Sequence, residues 1–348
     1  MFSNLICAST FSAALLFAAG DPFYFPPSDG AWERVDPPAA GWDPAKLGAV
    51  LDFAESRRSN GVVILLRGRI LAQRPAGALP VEDVASVQKS VAATLFGIAK
   101  RKGLIKLEDP ASKWLGTGWT KLPADQEQRI TMRHLISMSS GLSDEFGFEA
   151  EPGTKWRYNS PAYQKVMRAL AKAAGKSENE LTREWLTGPL GMRESVWKDR
   201  PGTGGMLGFN TTAADLARFG LMILARGEWQ GKRIVEDRAY FRQMLDSSQT
   251  MNPAYGFLWW LNGKQVVRAN GSTAPKLIPA APDDLVAALG ARGRKVHVVP
   301  SLGVVATRTG EEADRQGEPP FDQRFWRLLM DAAPVRPVGA GRTSPSGR

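Results

Sequence analysis

Residues 83–103 read Asp83-Val-Ala-Ser86-Val-Gln-Lys89-Ser90-Val-Ala-Ala-Thr-Leu-Phe-Gly-Ile-Ala-Lys-Arg-Lys-Gly103. Val87, Val91, Leu95 and Ile98 recur at helical spacing and predict the buried stripe of an amphipathic helix. Lys100, Arg101 and Lys102 crowd its last turn, where cations suit the negative end of the dipole, and Gly103 suits a left-handed cap. Ser86, Lys89 and Ser90 stand at i, i+3 and i+4, so they share one face of the first turn. A serine here serves as an ordinary N-cap, or it opens a Ser-x-x-Lys site. In the second reading the lysine one turn on takes the serine's proton, and free N–H groups at the helix start face a developing oxyanion.

The tetrapeptide recurs at Ser195-Val-Trp-Lys198, so it is weak alone. There it lies between Pro189-Leu-Gly-Met192 and Asp199-Arg-Pro-Gly202, with no long helix after it, and reads as a surface loop.

Composition narrows the chemistry. The single cysteine, Cys7, excludes a disulfide framework and cysteine-rich zinc sites. Two histidines, His134 and His297, make a multi-histidine metal centre and a Ser-His-Asp triad poor readings; both are expected to be structural. No metal or cofactor is expected. The net charge of +10 is spread over helix ends, loops and the tail with no basic stripe, so nucleic acid is not an expected partner.

Residues 1–20 carry no charged side chain, and Ala18-Ala-Gly20 offers small residues before Asp21. This resembles a secretory signal, although the basic leading residues are missing, and a membrane anchor or a mis-assigned start are the competing readings. The expectation is an exported protein, periplasmic or secreted, with no stable membrane insertion after signal removal. No other stretch is apolar enough over enough residues to span a bilayer.

Residues 21–42 are rich in Pro, Gly and aromatics and read as an extended lead-in. A helix opens at Asp43-Pro44, a hairpin spans Val62 to Ala72, and the region of roughly 83–250 is mostly helical. Tyr255 to Leu261, Leu285 to Leu289, Val296 to Val299 and Gly303 to Thr307 look like strands, and Phe321 to Ala332 like a closing helix. Ser177 with Glu180, and Thr212 with Asp215, have capping-box spacing. The tail, 334–348, reads as disordered. Strands near both ends with helices between them predict an α/β (α+β) domain over 43–333: one sheet built from both ends, with an inserted helical region. Ser86 then falls at the seam between sheet and helices, where pockets form.

Two further segments carry chemistry. In Glu151-Pro-Gly-Thr-Lys-Trp-Arg-Tyr158-Asn159-Ser160-Pro161, Tyr158 sits between a turn and a helix that Ser160 is expected to cap. A nearby lysine would lower its phenol pKa and make it a general acid or base. In Ala288-Leu-Gly-Ala-Arg292-Gly293-Arg294-Lys-Val-His297, glycines between two strands allow close backbone approach. There the Arg294 N–H offers a second oxyanion donor and Arg292 an anion-binding charge, or the stretch is an ordinary tight hairpin.

Further segments follow in order: His134-Leu-Ile-Ser-Met-Ser-Ser-Gly-Leu142, Pro189-Leu-Gly-Met192, Thr212-Ala-Ala-Asp-Leu-Ala-Arg-Phe-Gly220, Tyr255-Gly-Phe-Leu-Trp-Trp260 and Val299-Pro-Ser-Leu302. Together with Ser86-Val-Gln-Lys89 they resemble the serine β-lactamases and penicillin-binding-protein-like hydrolases, on the class C side. That group includes family VIII carboxylesterases and 6-aminohexanoate-dimer hydrolase. The resemblance implies an antiparallel sheet flanked by helices with an all-helical subdomain. It implies Ser86 as nucleophile, Lys89 as its base and Tyr158 as proton carrier; the Ser86 and Arg294 N–H groups are the expected oxyanion donors. Arg292, Gly293, Asn159 and Ser160 are the expected substrate-binding positions. Two departures stand out: Tyr-x-Asn is here Tyr158-Asn159-Ser160, and Ala291-Arg292-Gly293 stands where β-lactamases carry Lys-Thr-Gly. Both favour an esterase or amidase acting on a small molecule. The competing readings are a D-alanyl-D-alanine peptidase or weak β-lactamase, and a catalytically silent ligand-binding relative.

Overall fold

The computed structural model describes residues 23–29, 31–203 and 205–334, so the expected signal segment and residues 335–348 of the tail lie outside the described residues. Helix α1 (Pro44–Ser56) starts where expected, with the Asp43 carboxylate accepting from the N–H groups of Ala45 and Lys46 at 2.9 and 3.1 Å. The hairpin follows as β1 (Ser59–Leu66) and β2 (Arg69–Arg74). A short strand β3 (Glu82–Asp83) leads through a 3-10 turn, Ala85–Val87, into α2 (Gln88–Arg101). Next come α3 (Met132–Ile136), α4 (Ser160–Ala174), the paired strands β4 (Val196–Asp199) and β5 (Leu207–Thr211), and α5 (Ala213–Leu224). The chain returns through β6 (Trp260–Leu261), β7 (Val286–Gly290), β8 (Arg294–Val299) and β9 (Val304–Gly310) and closes with α6 (Phe321–Ala332).

The main sheet is antiparallel, ordered β2-β1-β9-β8-β7-β6, so strands from the two ends of the chain meet at β1 and β9 as the sequence implied. Helix α5 packs on β1, β8 and β9; α1 and α6 pack together, with α1 against β1 and β2. Phe53 and Phe321 stack at 5.2 Å between α1 and α6. The lead-in is tied down: Tyr24 N–H donates to the Arg67 carbonyl at 3.0 Å, and the buried Arg218 of α5 donates to the carbonyls of Pro26, Pro27 and Leu190.

Three expectations change in detail. The region of roughly 83–250 has helices as its main regular structure, but as much of it is turn and loop as helix; it also holds a small sheet ordered β3-β5-β4, and its α5 belongs to the main sheet's cover. Helix α2 is not amphipathic in place: every residue from Gln88 to Ala99 is buried. Small residues permit this, since a Cβ at Gly97 would come within 2.5 Å of the Tyr240 ring. Its polar groups find partners, Ser90 donating to the Leu258 carbonyl at 2.7 Å and Thr94 to the Ser90 carbonyl at 2.9 Å. Finally, Tyr255 to Leu261 is a strand only over Trp260–Leu261, because Leu258 takes a φ of +58° and turns the chain. Trp259 still goes to a different neighbourhood from Trp260, stacking on Phe219 of α5.

The Ser177–Glu180 capping box forms. That of Thr212 and Asp215 forms only in part. Thr212 accepts from the Asp215 N–H, while the Asp215 carboxylate accepts from Glu194 N–H at 3.0 Å and the Ser195 hydroxyl at 2.8 Å. Ser195 is therefore half-buried rather than a free surface loop, and it precedes the strand β4, not a helix.

Candidate active site

Ser86 sits in the 3-10 turn, which packs against β7 and β8 at the seam of sheet and helices. The residue before it, Ala85, is held at a φ of +50°. One turn on, Lys89 Nζ donates to Ser86 Oγ at 2.9 Å and to Ser160 Oγ at 3.1 Å. The ammonium is almost wholly buried, and its nitrogen lies 4.8 Å from the Tyr158 ring centre and 4.6 Å from that of Tyr163. Burial, helped by the positive charge of Arg200, lowers the Lys89 pKa to about 7. A neutral amine is thus well populated near neutral pH.

Tyr158 stands on the loop before α4, with its ring centre 4.8 Å from Lys89 Nζ. Its ring stacks on Trp260 at 5.9 Å, and Trp156 and Tyr255 complete an aromatic wall. The expected lowering of its pKa is reversed. Burial pushes the phenol up to about 12, against a smaller opposite pull from the Ser86 hydroxyl. A lysine that is itself desolvated offers little charge to stabilise a phenolate.

The helix start is built differently from the expectation. Asn159, not Ser160, is the N-cap of α4, its Oδ1 accepting from Ala162 N–H at 2.8 Å. Its Nδ2 donates to the carbonyls of Leu142 and Ser143, so this buried amide is spent on structure and is not presented to a substrate. Ser160 is freed from capping, and its hydroxyl meets Lys89.

The β7–β8 turn also departs from expectation. Arg292, at a φ of +62°, is exposed and pairs with Glu311 at 3.0 Å, and the Arg292 and Gly293 carbonyls both accept from Arg308 at 2.9 Å. The strand end against the serine is Gly290: a Cβ there would overlap the Val84 carbonyl and come within 3.3 Å of Ser86 N. Arg294 is the cross-strand partner of Gly290, and its buried side chain lies 3.5 Å from Glu82.

His134 accepts from the Thr131 N–H at the start of α3, and His297 accepts from Trp326 Nε1 at 2.9 Å within the sheet core. Burial lowers the His297 pKa to about 4, so it stays neutral. Among the described residues no group of three or more His, Cys, Asp or Glu could hold a metal ion, and no helix is long and apolar enough to cross a membrane. A cavity of about 410 Å3 lies along α4 and the β4–β5 hairpin, lined by Pro161, Gln164, Arg168, Glu178, Met206 and Leu207, and none of Ser86, Lys89, Tyr158 and Ser160 lines it. Sequence reading missed Asp83, Gln88, Arg200 and Gly290. The Asp-x-Ala spacing before the serine, in which Asp83 accepts from Ala85 N–H at 2.8 Å, was the one local signal available.

The Beta-lactamase family model matches residues 52–308. An uncharacterised protein of Alkalihalophilus pseudofirmus, BpOF4_21049, is 25% identical over 65% of this chain and 72% of its own length. The D-alanyl-D-alanine-carboxypeptidase/endopeptidase AmpH of Escherichia coli K12 is 26% identical over 35% of this chain, a match that spans only 38% of AmpH. Among solved structures, a Bacillus anthracis protein assigned as a 6-aminohexanoate-dimer hydrolase superposes with a TM-score of 0.68 at 16% identity, covering 90% of this chain and 89% of that one.

Proposed function

The chain belongs to the beta-lactamase family, and within this family of hydrolases we propose that it cleaves a small ester or amide through an acyl-enzyme on Ser86. The observation that carries the reading is the 2.9 Å contact between Ser86 and a lysine whose pKa is near neutral. Lys89 takes the Ser86 proton as Oγ bonds to the acyl carbon. The Tyr158 phenol gives its proton to the leaving oxygen or nitrogen as that bond breaks, and the lysine's proton replaces it. Water then attacks the acyl carbon as the lysine–tyrosine pair takes its proton, and that proton passes to Ser86 Oγ as the acyl–oxygen bond breaks, which releases the acid and restores the serine. The Ser86 N–H faces the oxyanion, with the strand end at Gly290 beside it.

An esterase or amidase preference is supported by the third motif. Ala291 replaces the motif's lysine, and Arg292 is turned to Glu311, so neither supplies a cation for a β-lactam carboxylate. The uncharged segment 1–20 supports export; N-terminal sequencing of the mature protein starting at Met1 would refute it. The test of function compares kcat/KM for p-nitrophenyl butyrate, 6-aminohexanoate dimer, nitrocefin and a D-alanyl-D-alanine peptide, in wild type and Ser86→Ala. We expect the ester or the dimer to lead and Ser86→Ala to abolish turnover. Nitrocefin or the D-alanyl peptide leading would move the reading to cell-wall chemistry. Binding without any turnover would make the protein a silent relative.

A further inference from the structure

The turn that carries Ser86 is held from outside the set of groups that touch the serine. Asp83 accepts from the N–H of Ala85, the residue at φ +50°, at 2.8 Å. The same carboxylate takes a two-pronged contact from Arg200, Nε at 2.5 Å and Nη2 at 2.7 Å. Arg200 directly follows β4, and β5 is built around the pair: a Cβ at Gly208 would overlap Asp83 Oδ2 and approach Arg200 Nε to 2.9 Å. Gln88, between Ser86 and Lys89 in the chain, extends the tie. Its Oε1 accepts from Phe209 N–H at 2.9 Å and from Arg200 at 3.3 Å, and its Nε2 donates to the Leu207 carbonyl.

We propose that the Asp83–Arg200 ion pair is the positioning device of the nucleophile turn, with Asp83 fixing the left-handed Ala85 and Arg200 fixing Asp83 from the β4–β5 hairpin. A non-glycine residue in that conformation is strained, and the strain persists only where surrounding contacts over-determine it. The methyl side chain of Ala85 makes no hydrogen bond that could do this, so the task falls to the Asp83 carboxylate. Burial opposes ionisation of Asp83, yet the Arg200 contact and the Ala85 N–H together hold its carboxyl below the usual range, so the clamp is charged at neutral pH. The groups about Lys89 are Ser86, Ser160 and the Tyr158 and Tyr163 rings, with Arg200 the charge that reaches it across the hairpin. The device therefore acts on geometry through Asp83 and on the lysine's charge state through Arg200. Neither residue touches the reacting atoms.

This inference rests on Ser86 as the nucleophile, and its test separates the two. Wild type, Arg200→Gln, Asp83→Asn and Arg200→Lys are compared by the rate of fluorophosphonate labelling at Ser86 and by the pH profile of kcat/KM for p-nitrophenyl butyrate. Arg200→Gln and Asp83→Asn should each lose on the order of 10²-fold, in kcat rather than KM, as expected for a misplaced reacting group. Their acid limbs should move in opposite directions. Removing the Arg200 cation raises the lysine's pKa and moves the limb to higher pH, whereas removing the Asp83 anion moves it lower. Arg200→Lys keeps the charge but not the fork, so its limb should stay in place while only part of the rate returns. If Arg200→Gln does not fold, Asp83→Asn and Arg200→Lys carry the comparison. Wild-type labelling rates in these variants, or losses with unshifted limbs that follow the folded fraction, would overturn the positioning role while leaving the nucleophile intact. A wild-type protein unlabelled at Ser86 would overturn both.

Discussion

Ser160 Oγ lies 3.1 Å from Lys89 Nζ, in the position where a Tyr-x-Asn pattern would present an amide. A neutral amine that donates one N–H to Ser160 turns its lone pair toward Ser86. Ser160→Ala should cost about one hydrogen bond's worth of orientation, roughly 5–10-fold in kcat with KM little changed. Steady-state kinetics on a p-nitrophenyl ester measure it, and an unchanged kcat would remove Ser160 from the site.

In the proposed mechanism Lys89, bonded to Ser86, and Tyr158, whose ring lies against the lysine nitrogen, serve one proton path. Lys89→Ala and Tyr158→Phe should each lower kcat by roughly 10²–10⁴. The double variant should lose far less than the product of the two, because residues acting as a unit are non-additive. Fully multiplicative losses would show two independent roles.

The acid limb of kcat/KM should fall near pH 7, rising as Lys89 loses its proton, and Tyr158 should cause no loss through pH 10, since its phenol holds its proton to about 12. The same burial has a stability consequence. The unfolded chain holds the Lys89 proton up to about 10.5 and the folded chain only to about 7, so this group's contribution to stability rises with pH across that window and is least favourable below it. Lys89→Met should raise stability by on the order of a few kcal/mol at pH 6 and by less at pH 10. Thermal melts at both pH values check this, and an equal gain at both would mean that the lysine's charge is not its cause.

Arg292 was the sequence's candidate for anion recognition, but its guanidinium is exposed and pairs with Glu311. Arg292→Ala should therefore change KM for p-nitrophenyl butyrate and for an anionic ester by the same small factor. A rise confined to the anionic ester would place the arginine in substrate binding after all.

The strand and helix content was legible because both ends of the chain carry short apolar runs bounded by turn residues and the middle carries helical periods. Phe321 to Ala332 was read to the residue. The Ser86–Lys89 pairing was legible because i, i+3 geometry is local. What eluded the sequence was set by distant contacts. Burial of α2 on all sides depends on Tyr240 and Leu258, far along the chain. The reversal at Tyr158 depends on desolvation, which no spacing reveals. Arg200, more than a hundred positions after Ser86, enters only through the β3–β5 pairing. The exchange of roles between Asn159 and Ser160 lay within reach, since asparagine is as good a cap as serine, and Asn159 had three structural partners waiting.

The proposed mechanism stands or falls on Ser86 as the acylated residue. Treating the protein with a fluorophosphonate and mapping the adduct by mass spectrometry tests it most directly, with Ser86→Ala and Lys89→Ala as controls. One adduct is expected, on Ser86, absent in Ser86→Ala and formed much more slowly in Lys89→Ala. An adduct on Ser90, Ser160 or Ser195 with Ser86 unmodified would contradict it.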